Sequence, residues 1–127
     1  MDKALKRLVR QRAHDACEYC QLPQLVYRAR FHIDHIIAEQ HGGEAEPSNL
    51  ALACPRCNLH KGTNISGIDP ASHRRVRLFH PRRDDWHRHF RWAGPVLVSR
   101  TAIGRATIQV LAINHPRAIT VRAELIA

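Results

Sequence analysis

No apolar stretch in this 127-residue chain approaches the length that crosses a bilayer, which excludes a membrane-spanning helix. The opening MDKALKRLVRQ reads as a charged amphipathic helix and not as a signal peptide. There is no internal repeat and no low-complexity segment, and residues 68–127 contain no lysine. These absences predict an intracellular, cytoplasmic protein without a membrane partner. In such a reducing compartment disulfides are disfavoured, so the four cysteines need another explanation.

What is present is positive charge. Twenty Lys and Arg stand against eleven Asp and Glu, a formal charge of +9 with a pI near 10.4. The plain reading is a well-solvated surface. The sharper one is a polyanionic partner, because cations that neutralise phosphates release condensed counterions. The charge is unevenly spread: residues 1–67 hold nine Lys and Arg against seven acids, and residues 68–127 hold eleven Arg against four. This predicts a site-bearing region at 1–67, and at 68–127 a basic extension that packs on it and grips the partner. A chain of this length buries a modest core, so one half could need a staple.

Leu5, Leu8, Val9 and Arg12 at helical spacing predict an N-terminal helix over roughly residues 2–16. Residues 25–37 read as extended, EQHGGEAEPSN as a loop, and LALACPRCNLHKG as a short apolar run ending in a helical turn closed by Gly62. Residues 63–75 read as a linker. Short strands are expected in VRLFHPRRDDWHRHFRW and GPVLVS, then a helix capped by Thr101 and a last one opened by Pro116, with Val121 and Leu125 facing inward. The fold class is α+β.

Cys17-Glu-Tyr-Cys20 and Cys54-Pro-Arg-Cys57 are two C-x-x-C pairs with 33 residues between them. Each pair can point at one ion, and the two together complete a tetrahedral Zn²⁺ site of four thiolates. Buried free thiols or a redox pair are the competing readings, but a redox site needs one pair and a βαβ setting. A four-thiolate zinc has no open position, so its part is structural. What it would fold is the insert, which contains FHIDHII: an Asp-His pair among apolar residues.

CEYC, HIDHIIAEQHGGEAEPSNLALACPRCNLHKG and their order resemble the HNH endonuclease family and its ββα-metal motif over roughly residues 13–62. The resemblance implies that His35 is the general base acting on water and that Asn49 braces the loop and orients the histidine. Asp34 and Asn58 would be the ligands of one catalytic divalent ion. Asn58 departs from the all-histidine form of the motif, and with Asp34 it offers oxygen donors, which favours Mg²⁺ or Mn²⁺. Adjacent strand residues face opposite ways, so β-structure should twist, bulge or end at Asp34-His35. His60 could reach the ion or a phosphate, though a solvated helix-end histidine is the simpler reading. Lys61 is a candidate phosphate contact, or equally a helix C-terminal lysine. His32 shares the strand face of Asp34 and reads equally as support for that residue or as simply exposed, and His41 beside Gly42 reads as a loop histidine.

FHPRRDDWHRHFRW followed by TAIGRATIQVLAINHPR resembles the tail of small bacterial, notably cyanobacterial, HNH endonucleases. Arg82, Arg83, Arg88 and Arg91 interleave with Trp86, Phe90 and Trp92, which suits phosphate contact with base stacking. The alternative makes the aromatics a core and the arginines its solvated face; a mixture is expected, with Phe90 and Trp92 inside. His80 and His87 lack a matched ligand partner. The resemblance implies a DNA endonuclease leaving 5′-phosphate and 3′-hydroxyl ends. It would act as a monomer or weak homodimer on double-stranded DNA with low sequence specificity. The alternative is a zinc-stapled DNA-binding module without catalysis.

Overall fold

Asp2 starts the first element: its carboxylate accepts from the Leu5 amide at 2.8 Å and caps α1, Lys3–Arg12. The computed structural model describes residues 1–127. Val9 is the fully buried residue of α1, and the Arg12 guanidinium bonds the Leu50 carbonyl.

β1 (His32–His35) pairs antiparallel with β2 (Leu50–Ala53), with Asp34 opposite Ala51 and His35 opposite Leu50. Every residue of β2 is buried. α2 (Pro55–Lys61) follows, with Cys54 as its cap and Pro55 in its first turn, where a missing N–H costs nothing. Hairpin and helix together make a ββα unit. The strand stops at His35, with Asp34 buried and the His35 side chain half-buried. Beyond it, Gly43 lies so close to the Ile37 carbonyl and the Asn49 amide that a Cβ would collide with both.

The chain continues as a hairpin of β3 (Ser66–Ile68) and β4 (Arg75–Arg77), a short α3 (Trp86–His89), and a second hairpin of β5 (Phe90–Ala93) and β6 (Val96–Ser99). α4 (Ala102–Val110) is capped by Thr101, whose hydroxyl accepts from the Gly104 amide, and α5 (Pro116–Ile126) is capped by His115. Three two-stranded antiparallel sheets and five helices make the fold α+β. One core joins the halves: Val9, Tyr19, Leu50 and Leu52 from the first pack with Phe79, Phe90, Leu97 and Leu111 from the second. Phe79 stands edge-on to both Tyr19 and Phe90, with ring centroids 6.4 and 5.3 Å away.

Three expectations change. Residues 25–37 are not continuously extended, because Gln24 binds the Tyr27 and Ala29 carbonyls and accepts from the Phe31 amide, occupying groups a ladder would use. The 63–75 linker contains β3, so the boundary drawn at residue 67 falls inside a strand. On α5, Val121 and Leu125 are exposed and Arg122 is buried instead. Its guanidinium bonds the Pro95 carbonyl (2.8 Å) and Asn114 Oδ1 (3.1 Å) and lies over Trp92, and these contacts outweigh the apolar periodicity.

Candidate metal centre and adjoining histidine site

Cys17 and Cys20 sit on a turn after α1, and Cys54 and Cys57 on the first turn of α2. Their four sulfurs lie within 4.8 Å of one another, and all four residues are buried. Cys20 Sγ and Cys54 Sγ are 3.8 Å apart. Tetrahedral zinc at about 2.3 Å from each sulfur sets thiolates about 3.8 Å apart, so the cluster has the right dimensions. In each knuckle the amide of the second cysteine points at the sulfur of the first, at 3.5 Å for Cys20 and 3.4 Å for Cys57. Without a cation the thiols conflict. Hydrogen bonds from Cys17, Cys20 and Cys57 hold Cys54 far below its ordinary pKa, and hydrogen bonding within the cluster pushes Cys20 and Cys57 well up. A dication binding four thiolates removes that conflict.

Both knuckles lead to Asp34. Tyr19, inside the first knuckle, donates its hydroxyl to Asp34 Oδ2 at 2.7 Å. Lys61, on the helix begun by the second, places Nζ 3.1 Å from Asp34 Oδ2, 3.3 Å from Oδ1 and 3.1 Å from the His35 carbonyl. Asp34 is 6 % exposed and Lys61 2 % exposed. Burial raises the Asp34 pKa, and Lys61 and then Tyr19 pull it back.

His35 ends β1 with its side chain 22 % exposed. Its Nε2 is buried without a hydrogen-bond partner, and Glu39 Oε1 stands 3.6 Å away. Asn49 spends its whole amide on the loop after His35. Oδ1 accepts from the Ile37 amide at 2.9 Å, and Nδ2 donates to the Ile37 and Glu44 carbonyls at 2.9 and 3.0 Å. Asn58 is half-buried on α2, one turn before Lys61 and so on the same side of the helix, which packs against β1. Its side chain makes no hydrogen bond within the protein, so its amide oxygen is free to take a ligand.

The other candidates divide. Lys61 is corrected: it does not face solvent as a phosphate contact or helix-end lysine, because its ammonium is drawn inward by the Asp34 carboxylate. Arg82 is corrected too, being paired with Glu18 of the first knuckle and half-buried. Burial, and then the charge of Arg12, lower its pKa to about 10. Arg83, Arg88 and Arg91 are exposed. Arg83 lies on a cleft of about 300 Å³ lined also by Ile36 and Ile37, which directly follow His35, and by Asn64 and His80. His32, His41 and His60 are exposed.

Both tryptophans of the second half reach back to the first knuckle: Trp86 Nε1 donates to the Tyr19 carbonyl and Trp92 Nε1 to Gln21 Oε1, each at 2.9 Å. Sequence reasoning missed Tyr19 and the inward Lys61, since no spacing rule links them to Asp34. The one available signal was the aromatic placed between two presumed metal ligands.

Residues 17–64 match the family model described as HNH endonuclease. No curated protein and no solved structure matches the chain. No helix is long and apolar enough to cross a membrane.

Proposed function

The chain carries an HNH endonuclease domain at residues 17–64, and from that premise we propose that it is a DNA endonuclease that hydrolyses phosphodiester bonds with the aid of a divalent ion. The observation that carries this reading is His35 Nε2, a buried ring nitrogen without a partner at the end of a braced strand. His35 takes a proton from water through that nitrogen. The water oxygen bonds to phosphorus and the bond from phosphorus to the 3′ oxygen breaks, leaving 5′-phosphate and 3′-hydroxyl ends. Asn49 fixes the loop that follows His35 and so orients the imidazole.

Asp34 and Asn58 are the residues that would hold Mg²⁺ or Mn²⁺. The fit rests on the donor chemistry, a carboxylate and an unpartnered amide oxygen, which suits a hard cation. Such an ion supplies charge stabilisation at the leaving oxygen. Cys17, Cys20, Cys54 and Cys57 would hold structural Zn²⁺, and the spacing of their sulfurs supports it. The exposed Arg83, Arg88 and Arg91 are proposed to contact DNA phosphates; Arg83 lines the cleft shared with Ile36 and Ile37, the two residues after His35. Such contacts carry no sequence information, in keeping with low specificity on double-stranded DNA by a cytoplasmic monomer or weak dimer.

One observation favours the second reading, a DNA-binding module without catalysis: the Asp34 carboxylate already carries an ammonium. Plasmid nicking separates the two. Zinc-loaded protein with Mg²⁺ or Mn²⁺ is expected to nick supercoiled DNA. His35→Ala should lower the rate at least about a hundredfold while zinc content and DNA affinity stay unchanged. Nicking at the wild-type rate by His35→Ala rules out the proposed mechanism.

A further inference from the structure

Lys61 is a buried charge beside Asp34 that the proposed chemistry does not use. Burying an ammonium is costly unless it is paired and hydrogen-bonded. Lys61 ends among three oxygens, both of Asp34 and the carbonyl of His35, all within 3.3 Å. That is an oxygen-lined cation position, occupied by a side chain of the protein itself.

Its surroundings hold it there. Asp34 Oδ2 also accepts from Tyr19, so the carboxylate is gripped from both sides. Tyr19 lies between Cys17 and Cys20, and Lys61 lies one turn beyond Cys57, so each cysteine knuckle supplies one of the two groups. Any divalent ion that uses the Asp34 carboxylate meets a like charge on the same oxygens, and at such distances in a buried setting the repulsion is large.

We propose that Lys61 is a resident counter-cation of Asp34 that competes with the divalent ion and thereby sets how tightly that ion binds. This rests on the reading of Asp34 as an ion ligand. Lys61 is then a positioning residue: it keeps the Asp34 carboxylate charged and aimed while no divalent ion is bound, and it yields the oxygens when one arrives. The ion affinity of the wild type is therefore weak compared with what the oxygen donors alone would give.

Mn²⁺ binding to zinc-loaded full-length protein without DNA, followed by electron paramagnetic resonance, tests this independently of cleavage. Asp34→Asn should abolish the site, and Lys61→Met should bind Mn²⁺ about tenfold more tightly than wild type. Unchanged or weaker binding by Lys61→Met, with Asp34→Asn still abolishing it, overturns the competition and leaves the ion site standing. Mn²⁺ binding that Asp34→Asn does not affect, or no binding by any variant, overturns the Asp34 ion site and the competition together.

Because Lys61→Met leaves a buried carboxylate unpaired and can fail to fold, the wild type offers a second measurement. The Lys61 ammonium, shielded by its three oxygens, should give a distinct ¹⁵N resonance that shifts or broadens on adding Mg²⁺. A resonance unmoved at saturating Mg²⁺ overturns the proposal.

Discussion

Lys61 and Arg88 are both cations near a helix end, yet Lys61 is buried with its ammonium on Asp34 while Arg88 stands in solvent. The contrast extends to the regions around them. Between residues 17 and 64 one set of groups turns inward: four sulfurs on one centre, Asp34 between Tyr19 and Lys61, Asn49 on its loop. Between residues 68 and 127 arginines dominate, and they fall into two sets. Arg75, Arg77, Arg82, Arg100, Arg105 and Arg122 bond other groups of the protein. Arg74, Arg83, Arg88, Arg91 and Arg117 have no side-chain partner and are exposed. A surplus of arginine therefore overstates the surface available to a polyanion, since about half of it ties the fold together.

The largest effect that tests this contrast is loss of the cysteine centre. Cys54→Ala removes a ligand and the cap of α2. Zinc binding at such sites has an apparent worth of about 10–16 kcal/mol, against about 5–15 kcal/mol for the whole stability of a domain. We expect zinc loss and collapse of the melting transition by circular dichroism. Because one core spans both regions and Trp86 and Trp92 bond the first knuckle, tryptophan fluorescence should change in the same step. Retention of the tryptophan signal after zinc loss would show that the basic region folds by itself; an unaffected melting curve would remove the staple altogether.

The second region has a staple of another kind. Asp69 is fully buried at the turn between β3 and β4, where Arg105 of α4 donates to both its oxygens at 2.8 and 3.0 Å. Those bonds, with help from Ala71 and Ser72, hold its carboxyl far below the ordinary carboxylate range. A depressed native pKa gives stability that is present above the unfolded value of about 4 and is lost as the pH falls through the native one. The melting temperature of wild type should therefore drop steeply below about pH 4. Asp69→Asn should melt several degrees lower at neutral pH and show a shallower acid decline. Equal acid slopes would deny the pair any share in stability.

How much of this was legible in the sequence follows from how local each signal is. Cysteine pairs with two residues between them declare themselves, and so do caps such as Thr101 and a helix-opening proline such as Pro116. Asn49 stood out in the sequence by its place in a known motif; in the fold its amide bonds the Ile37 backbone and the Glu44 carbonyl. Lys61 did not stand out. A lysine just before a helix-ending glycine looks like a cap or a surface cation, and only the fold brings it to a carboxylate 27 positions earlier. Arg122 failed in the same way, because apolar periodicity favoured Val121 and Leu125, while the anchors at Pro95, Asn114 and Trp92 come from distant segments. Local patterns located the site; long-range pairing of charges decided which cations belong to it.

The smallest effect separates the two sets of arginines directly. A cation that contacts a DNA phosphate contributes about 0.9 to the slope of log affinity against log salt. Arg88 and Arg91 are exposed and unpartnered, so the double change to alanine should flatten that slope by up to about 2 and leave the melting temperature within a degree or so. Arg82→Ala should do the reverse. It strands Glu18, whose other oxygen accepts from the Leu52 amide, and so lowers stability while leaving the salt slope as it was. Measuring both in the His35→Ala background keeps the DNA intact during titration. If Arg82→Ala flattens the slope and the Arg88/Arg91 change does not, the division of arginines between fold and partner is reversed.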